Sequence, residues 1–554
     1  MGNTSKKDTN FIVQGGILAL ASVLVRIIGL VYRIPMNNIL GDGISVYSTA
    51  YSIYSLIWMI ASFGIPTAVS RMVAQRMGRK EYKDADRVFY TAILFSIVVG
   101  GLAAGVLFFG SNIFANVIFK MPEIKYALMI LAPTVWISTF MGSFRGFYQG
   151  LGTMIPTAVS QIAEQIINAI MSIVGSYFLW NYGRNLDMKA GNGQEFYSNA
   201  YGAAGGTIGT ASGALIGLIV CVVIFIMYRP SMVRREKRDK TGVENSFSSI
   251  LKVLVLTMLP ITLNSATYNI SSILDNSLFG NYMEAYRTHD QYLSMWAAYE
   301  GKYHLITHVP LAFATALSAS AVPNLSKFIA SKADKKIITD KIHLSLQFSM
   351  LIAIPSCIGL LVLGEPVLNL LFSTRETNPL AAQLLQIGCI TVIMYSFSTI
   401  TNGILQGIGK VSVPAKNALV ALVGHLIVLA VCLWGFKMDV YGVVISDIVF
   451  GLFMNLLNFR SIKKNLPEFH LEYRKTFILP FISAAIMGVA AYLFYQGMIF
   501  VCHKNSISVL LAIVVAVLVY ALALLKTKAM DEEDLKNFPK GTKLLKLAKK
   551  MHLL

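Results

Sequence analysis

The sequence predicts an all-α polytopic membrane protein, and three observations carry this prediction. Hydrophobic residues make up 55% of the 554 residues, charged residues make up only 14%, and the mean hydropathy is +0.62. A soluble domain of average composition carries roughly 25% charged residues. Apolar runs of about 20 residues recur along the chain, which is the length that crosses a bilayer core of about 30 Å. A membrane barrel would instead show short strands of alternating hydrophobicity.

The apolar runs predict about fourteen membrane-spanning helices. They lie near 11–32, 45–68, 88–110, 126–149, 156–180, 202–228, 250–280, 294–322, 344–364, 383–408, 414–436, 440–460, 476–500 and 506–526. The longest predicted loops, near 181–201 and 229–249, hold about 20 residues each, whereas a soluble domain needs roughly 50. We therefore expect the spans themselves to carry the function.

The positive charge of the chain is concentrated on one side of this arrangement. The formal net charge is +19, and the bases cluster in the connections at 71–87, 229–240, 327–336 and 460–475. Basic loops of membrane proteins face the cytoplasm, so this side and both termini are predicted to be cytoplasmic. The charge therefore does not indicate nucleic-acid binding. The five scattered cysteines show neither metal-ligand spacing nor a disulfide framework.

An internal repeat relates the two halves of the chain. "IPTAVSRMVAQR" (65–76) resembles "VPNLSKFIASK" (322–332), and "RGFYQGLGTMIP" (145–156) resembles "NGILQGIGKVSVP" (402–414). Similar stretches are separated by about 240 to 258 residues. Parallel repeats of this kind are typical of transporters, in which the substrate binds between or within the repeats.

The repeat predicts two pseudo-symmetric six-helix lobes followed by two further helices. The first lobe covers 1–240, the second covers 241–470, the two C-terminal helices fall in 471–530, and a basic cytoplasmic tail occupies 531–554.

Ionisable residues inside spans are costly, so they mark candidate functional sites. Span 1 carries Arg26 and Arg33, and span 8 carries Glu300, Lys302 and His304. At 100° per residue, Glu300 and His304 share a helix face, whereas Lys302 lies about 200° from Glu300. The basic members suit an anionic phosphate headgroup. The structural alternative is that these groups pair with each other or fix helix packing, and that Arg33 is an interfacial anchor.

Further polar residues are predicted to line or gate a cavity enclosed by spans 1, 2, 7 and 8. They are Tyr47, Tyr51, Asn264, Ser271, Asp275, Arg145 and Glu164. The chain contains no phosphate-binding loop, nucleophile elbow or zinc-protease motif, so we expect no enzyme activity. We predict no metal or other cofactor, with a sodium site involving Asp447 and Asn417 as an alternative hypothesis.

Four stretches, taken together with the span pattern, resemble a known superfamily. They are "VRIIGLVYRIPMNNILGDGISVYSTAYSIY", "FGIPTAVSRMVAQ", "RGFYQGLGTMIPTAVSQIAEQI" and "TNGILQGIGK". Over about residues 10–525 the chain resembles the MOP exporter superfamily, and within it the Gram-positive MurJ-type lipid II flippases and SpoVB-like polysaccharide transporters. The resemblance implies alternating access around a cationic cavity, and a groove for the lipid tail at spans 13 and 14.

Carried over by position, the family's essential bases fall on Arg26, Arg33 and Lys302. Many members have arginine at the third position, so Lys302 keeps the charge but loses the bidentate fork. An acid that some relatives carry in span 2 aligns near Tyr47, so a step that depends on that acid is not expected here.

The resemblance implies a flippase of the bacterial plasma membrane that moves undecaprenyl-pyrophosphate-linked peptidoglycan precursor, lipid II, from the inner to the outer leaflet. The alternatives are transport of another lipid-linked oligosaccharide or polysaccharide, cation-coupled multidrug antiport, and a membrane glycosyltransferase or scaffold. Expected partners are the lipid substrate and membrane lipids, with cell-wall synthesis enzymes as candidates. We expect a monomer, coupled to Na⁺, H⁺ or the membrane potential.

Overall fold

The computed structural model describes residue 18 and residues 21–191, 195–330, 334–373 and 376–530. Side chains at 260–261, 263–269, 319–324, 326–330 and 335 are not part of this description. All regular elements in the described part are helical, which confirms the predicted all-α class. Helices of this length satisfy their own backbone hydrogen bonds, as an apolar medium requires.

The first half of the chain forms helical residues 21–31 followed by nine α-helices. They are α1 (Arg33–Leu40), α2 (Ile44–Ser62), α3 (Ile65–Gly78), α4 (Tyr82–Ile113), α5 (Ile124–Gly150), α6 (Ile155–Ala190), α7 (Phe196–Glu236), α8 (Phe247–Tyr286) and α9 (His289–Trp296).

The second half begins with a π-helical segment, Ala297–His304. The α-helices that follow are α10 (Leu305–Ala330), α11 (Lys335–Leu371), α12 (Asn378–Gly388), α13 (Ile390–Gly407), α14 (Val413–Ala430), α15 (Val440–Asn465), α16 (Leu479–Cys502) and α17 (Asn505–Lys526).

Among the described residues, ten helices are long and apolar enough to cross a membrane, and there are eleven if the pair α12 and α13, bent by 53°, is one span. The first of them is the helical run Ala21–Gly78, which contains residues 21–31 and helices α1 to α3. It covers the part of predicted spans 1 and 2 that is described. Predicted spans 7 and 8 lie on helices that include residues outside the described side chains. The number fourteen therefore stays a prediction.

The predicted loop 181–201 is largely helical and the predicted loop 229–249 is about half helical, so that part of the prediction is wrong. Only residues 191–195 separate α6 from α7, and only 237–246 separate α7 from α8. The helices continue beyond the apolar stretch because polar side chains satisfy their ends. Asp187 accepts hydrogen bonds from the backbone N–H of Tyr197 and of Ser198, at 2.9 and 2.8 Å, at the start of α7.

The chain folds into two compact units, Met1–Ala297 and Ala298–Leu554. Helix α8, which the sequence repeat assigns to the second lobe, lies in the first unit. There it contacts α2, because the Asn276 amide donates to the Thr49 hydroxyl oxygen at 2.7 Å. The predicted lobes describe a repeat in the sequence, and their boundaries stay a prediction.

In the first unit, glycines bring the backbones of α6 and α7 into direct contact. A Cβ atom on Gly205 would lie 2.2 Å from the carbonyl oxygen of Gly175, and one on Gly183 would lie 2.3 Å from that of Tyr197. Helices in membranes associate through such small residues, since close approach increases van der Waals contact. Several glycines thus let α6 and α7 pack at backbone contact distance.

In the second unit, the last helix, α17, attaches to α11 through side chains that bond carbonyl groups of α11. Tyr520 donates to the carbonyl of Leu351 at 3.0 Å, and Asn505 donates to that of Pro366 at 3.0 Å. Proline inside a helix removes a backbone donor and leaves carbonyl groups to be satisfied elsewhere. The two C-terminal helices are thus part of the second unit and not a separate body.

We expect Gly205→Val to destabilise the protein, because its side chain would overlap the backbone of α6. Overpacking of this kind costs about 1–3 kcal/mol or more. Thermal unfolding of the detergent-solubilised protein should show a clear fall in midpoint. Gly105→Val is the matched control, since nothing lies within 4 Å of its Cβ position. Equal midpoints for the two variants would contradict the glycine contact.

Candidate functional site

The predicted headgroup residues of the first unit lie on consecutive helical turns. Arg26 is exposed, and Arg33, at the start of α1, is half-buried. The guanidinium carbon of Arg33 lies 5.4 Å from the centroid of the Tyr51 ring, an arrangement that favours a cation. Tyr51 stacks on Tyr47, with 6.0 Å between ring centroids, and the hydroxyl of Tyr47 lies 3.2 Å from that of Tyr32. The tyrosines of span 2 therefore position Arg33.

Arg145 and Glu164 form an ion pair, which the sequence alone did not reveal. Arg145 Nη2 lies 2.7 Å from Glu164 Oε2, and Arg145 Nε donates to the Ser160 hydroxyl oxygen at 3.0 Å. Only 13% of the Arg145 side chain is exposed. The pair joins α5 to α6 and neutralises both charges, so its geometry fits the structural interpretation of buried ionisable groups.

The polar face of α8 is described from residue 270 onward. Ser271 donates to Asp275 Oδ2 at 3.4 Å, and Asp275 is buried. Next to it, Asn276 connects α8 to α2 and to α9, because Tyr292 lies within hydrogen-bond distance of its Oδ1 atom. The side chain of Asn264 lies outside the described residues, so its predicted role is not addressed.

Span 8 departs from α-helical geometry where its charges occur. Ala297–His304 is π-helical, and π-helical turns occur frequently at functional sites. Within it, the carboxylate of Glu300 lies 2.8 Å from Nδ1 of His304, so these two residues do share a face. His308 continues the row, with its Nδ1 atom 2.8 Å from the carbonyl oxygen of His304.

The Lys302 side chain is buried inside the second unit. Its side chain is 1% exposed, and its Nζ atom donates to Thr377 Oγ1 at 2.6 Å and to Asn378 Oδ1 at 2.7 Å. The ammonium group also lies 5.6 Å from the centroid of the Phe372 ring. In this structure Lys302 thus holds the connection between α11 and the start of α12. Its predicted contact with substrate stays a prediction.

The structure separates the two residues of the alternative sodium site. Asp447 accepts from the Tyr299 hydroxyl at 2.6 Å, whereas the Asn417 amide donates to Asn458 at 2.9 Å and to Ser461 at 3.2 Å. Asn458 follows Asp447 by eleven positions on α15, which is about 16 Å along a helix. Asn417 and Asp447 therefore belong to two different polar networks.

A small cavity in the second unit collects several of the polar side chains of span 8. Its lining includes Tyr303, His304, Thr307, His308, Thr391, Tyr395 and Asp447. The cavity offers hydroxyl, imidazole and carboxylate groups to a small polar guest. Thr391 and Tyr395 were missed by the sequence reasoning, because a lone hydroxyl in an apolar run gives no signal there.

The sequence matches two families of known proteins. Residues 12–329 match the family described as polysaccharide biosynthesis protein, which is more than half of the chain, and residues 260–431 match the MatE family. The chain belongs to the polysaccharide biosynthesis protein family, within the MOP superfamily.

Relatives in this family extend over nearly the whole chain. The lipid II flippase MurJ of Bacillus subtilis (strain 168) is 23% identical over 489 residues, which is 86% of each chain. Stage V sporulation protein B of the same organism is 20% identical and covers 85% of this chain and 88% of its own length. The predicted MurJ- and SpoVB-like resemblance is thereby confirmed.

Solved structures share the fold. A lipid II flippase MurJ in an inward closed conformation superimposes with a TM-score of 0.65 at 17% identity, over 91% of this chain and 97% of its own. An inward-facing multidrug resistance MATE family transporter gives 0.64 at 13% identity, over 80% of this chain and 95% of its own. The family's relatives are transporters and flippases, and this multi-pass membrane protein is a MOP-type transporter.

Replacing Lys302 separates a structural role from a purely substrate-binding role. Lys302→Met leaves the acceptors of Thr377 and Asn378 without their charged donor, which should lower the free energy of unfolding by about 2 kcal/mol. Thermal unfolding without substrate measures this loss. Arg26→Gln, at an exposed position, should leave stability unchanged. A Lys302→Met protein as stable as wild type would show that the buried contacts add nothing to the fold.

Proposed function

We propose that this protein is a flippase that moves lipid II from the inner to the outer leaflet by alternating access. The observation that carries the proposal is the likeness to the lipid II flippase MurJ over 86% of both chains. The basic residues near the start of the first unit support it, because a diphosphate needs a cationic site. In this proposal the protein is a transporter and performs no covalent chemistry.

Arg26 and Arg33 are the proposed diphosphate contacts. Arg26 is exposed, and Arg33 is oriented by the Tyr51 ring. Guanidinium groups bind phosphate through two parallel hydrogen bonds, so two arginines suit a diphosphate. Lys302 is a further proposed phosphate contact, in a step of the cycle in which phosphate oxygens replace Thr377 and Asn378. In this proposal Glu300 and His304 contact the headgroup and exchange protons, and Asp275 is a gating residue of the first unit.

The charge bias of the loops supports a bacterial plasma-membrane protein with both termini in the cytoplasm. The protein acts as a monomer without a resident cofactor, and cell-wall synthesis enzymes are its proposed partners. Membrane potential is one proposed energy source, since moving one charge is worth about 2.3 kcal/mol per 100 mV. A coupled Na⁺ or H⁺ is the other.

Two other cargoes have specific support. The family description favours a different lipid-linked oligosaccharide or polysaccharide. The match of residues 260–431 to the MatE family, together with the MATE transporter fold, favours a cation-coupled multidrug antiporter. Drug antiport would need a cavity that accepts cations, and the exposed Arg26 disfavours it.

Acute depletion of the protein tests the cargo directly. Lipid II should become inaccessible to a membrane-impermeant probe at the outer leaflet within the depletion time, while total lipid II rises. A strain in which depletion leaves lipid II accessible, but removes another surface polysaccharide or raises drug sensitivity, would support one of the alternatives instead.

Arg26→Ala should abolish complementation of a flippase-depleted strain, because one of the two guanidinium groups for the diphosphate is removed. Arg26→Lys keeps the charge without the fork and should restore activity in part. Membrane levels of each variant are measured by immunoblot. Full activity of Arg26→Ala at normal abundance would refute this site.

A further inference from the structure

At the end of the first unit away from the basic loops, a helix break leaves two backbone carbonyl groups without partners in their own helix. Helix α4 passes into the π-helical turn Phe114–Ile118, and Lys120 then adopts a left-handed conformation with φ of 54°. The π-turn and the left-handed residue end the regular hydrogen-bond ladder. The carbonyl groups of Ile118 and Phe119 become acceptors for side chains of other helices.

Helices α8 and α9 supply the donors. Ser277 and Asn281 both donate to the carbonyl of Ile118, at 3.0 and 3.2 Å. The hydroxyl of Tyr292 lies 3.0 Å from the carbonyl oxygen of Phe119. Gly280 permits this approach, since a Cβ atom there would lie 2.5 Å from that same oxygen.

Two ion pairs flank these hydrogen bonds. Lys120 Nζ lies 3.0 Å from Glu284 Oε2, and His289 Nε2 lies 2.7 Å from Glu123 Oε1. The Glu123 side chain is 2% exposed. We name the whole set of contacts, between 118–123 on one side and 276–292 on the other, the clasp.

The two sides of the clasp come from different halves of the sequence repeat. Residues 118–123 connect spans 3 and 4 of the first half, and 276–292 connect spans 7 and 8 of the second. In a transporter with parallel repeats, opening at one face separates such segments. We propose that the clasp is the gate at this face, that it must break for the site to open there, and that the His289–Glu123 pair makes opening depend on pH.

The sign of the pH dependence follows from the groups around His289. These are Glu123 across the clasp, Asp290 on its own helix, and the Lys120–Glu284 pair. The hydrogen bond to the Glu123 carboxylate raises the pKa of His289 above its ordinary value, against the opposing effect of burial. The charged pair is complete below the ordinary pKa of histidine and is lost as pH rises through the raised value. Opening should therefore become easier at higher pH.

A thiol reporter measures opening without any assumption about the cargo. Ser271→Cys places a thiol on α8 about 7.5 Å deeper than Asn276. An impermeant maleimide, applied from either side of the membrane, should reach it faster from the clasp side when the clasp is weakened. Tyr292→Phe removes the hydrogen bonds to the carbonyl of Phe119, across the clasp, and to Asn276, and should raise that labelling rate roughly tenfold.

Asn112→Ala is the matched control, because Asn112 lies exposed near the same end and is outside the clasp. It should leave the labelling rate unchanged, and Ser277→Ala, which loses one hydrogen bond, should fall between the two. Thermal unfolding identifies any variant that labels because it is unfolded. A folded Tyr292→Phe protein that labels at the wild-type rate would overturn the gate.

The pH dependence is measured with the same Ser271→Cys reporter. Its labelling rate at each pH is divided by the labelling rate of the unfolded protein at that pH. Labelling of the introduced thiol should rise between about pH 5.5 and 8.5, the range in which histidine titrates. Glu123→Gln should flatten the profile, because no charged pair remains to be lost. A profile that is already flat with Glu123 in place would overturn the role of the pair.

A reversible lock tests whether the clasp must break during transport. In Glu123→Cys/His289→Cys, a bifunctional methanethiosulfonate reagent that spans the gap left by the two longer side chains should link the two sides and stop transport, and a reductant should restore it. Each single cysteine variant, treated alike, should remain active. Undiminished transport by the linked protein would overturn the gate. If lipid II proves not to be the cargo, the labelling results stand on their own.

Discussion

The structure depends on one constraint: a polar group in apolar surroundings must find a hydrogen-bond partner inside the protein. The constraint is most visible where a helix is interrupted. Tyr303 donates toward the carbonyl of Gly388 at 3.2 Å, where α12 bends into α13. Within the uninterrupted helix α7, Tyr148 of α5 donates to the carbonyl of Cys221 at 2.6 Å. Such hydrogen bonds hold two helices together. The need to pair backbone carbonyl groups therefore also determines which helices move together.

The same constraint divides the ionisable residues of the spans into two groups. Lys302 is buried and the Arg145 side chain is only 13% exposed, and each is bonded to side chains of a neighbouring helix or connection. Arg26 is exposed, and Arg33 is half-buried against an aromatic ring. Burying a charged group with polar partners costs less free energy than burying it alone. The buried charge is then no longer accessible to a ligand. The arginines near the start of the chain are thus the ones whose charge is presented outward.

Hydropathy and charge predicted the helical class and the position of most of the long apolar helices, because both depend on short-range composition. They could not predict that Lys302 bonds Thr377 and Asn378, since that contact joins residues far apart in the chain. Periodicity placed Glu300 and His304 together correctly. Periodicity could not predict the π-helical turn that contains them. Hydropathy could not predict that the helix continues across 181–190, because hydropathy falls where a helix leaves the apolar layer even though the helix does not end.

The glycine contact between α6 and α7 has a mechanical meaning. Where the Cβ of one helix would fall 2.2 Å from the carbonyl of the other, each helix fits its neighbour only at one angular setting. Turning either helix about its own axis would bring a side chain into the contact, and sliding it would do the same. We therefore expect α6 and α7 to move together as one rigid pair when the protein changes conformation.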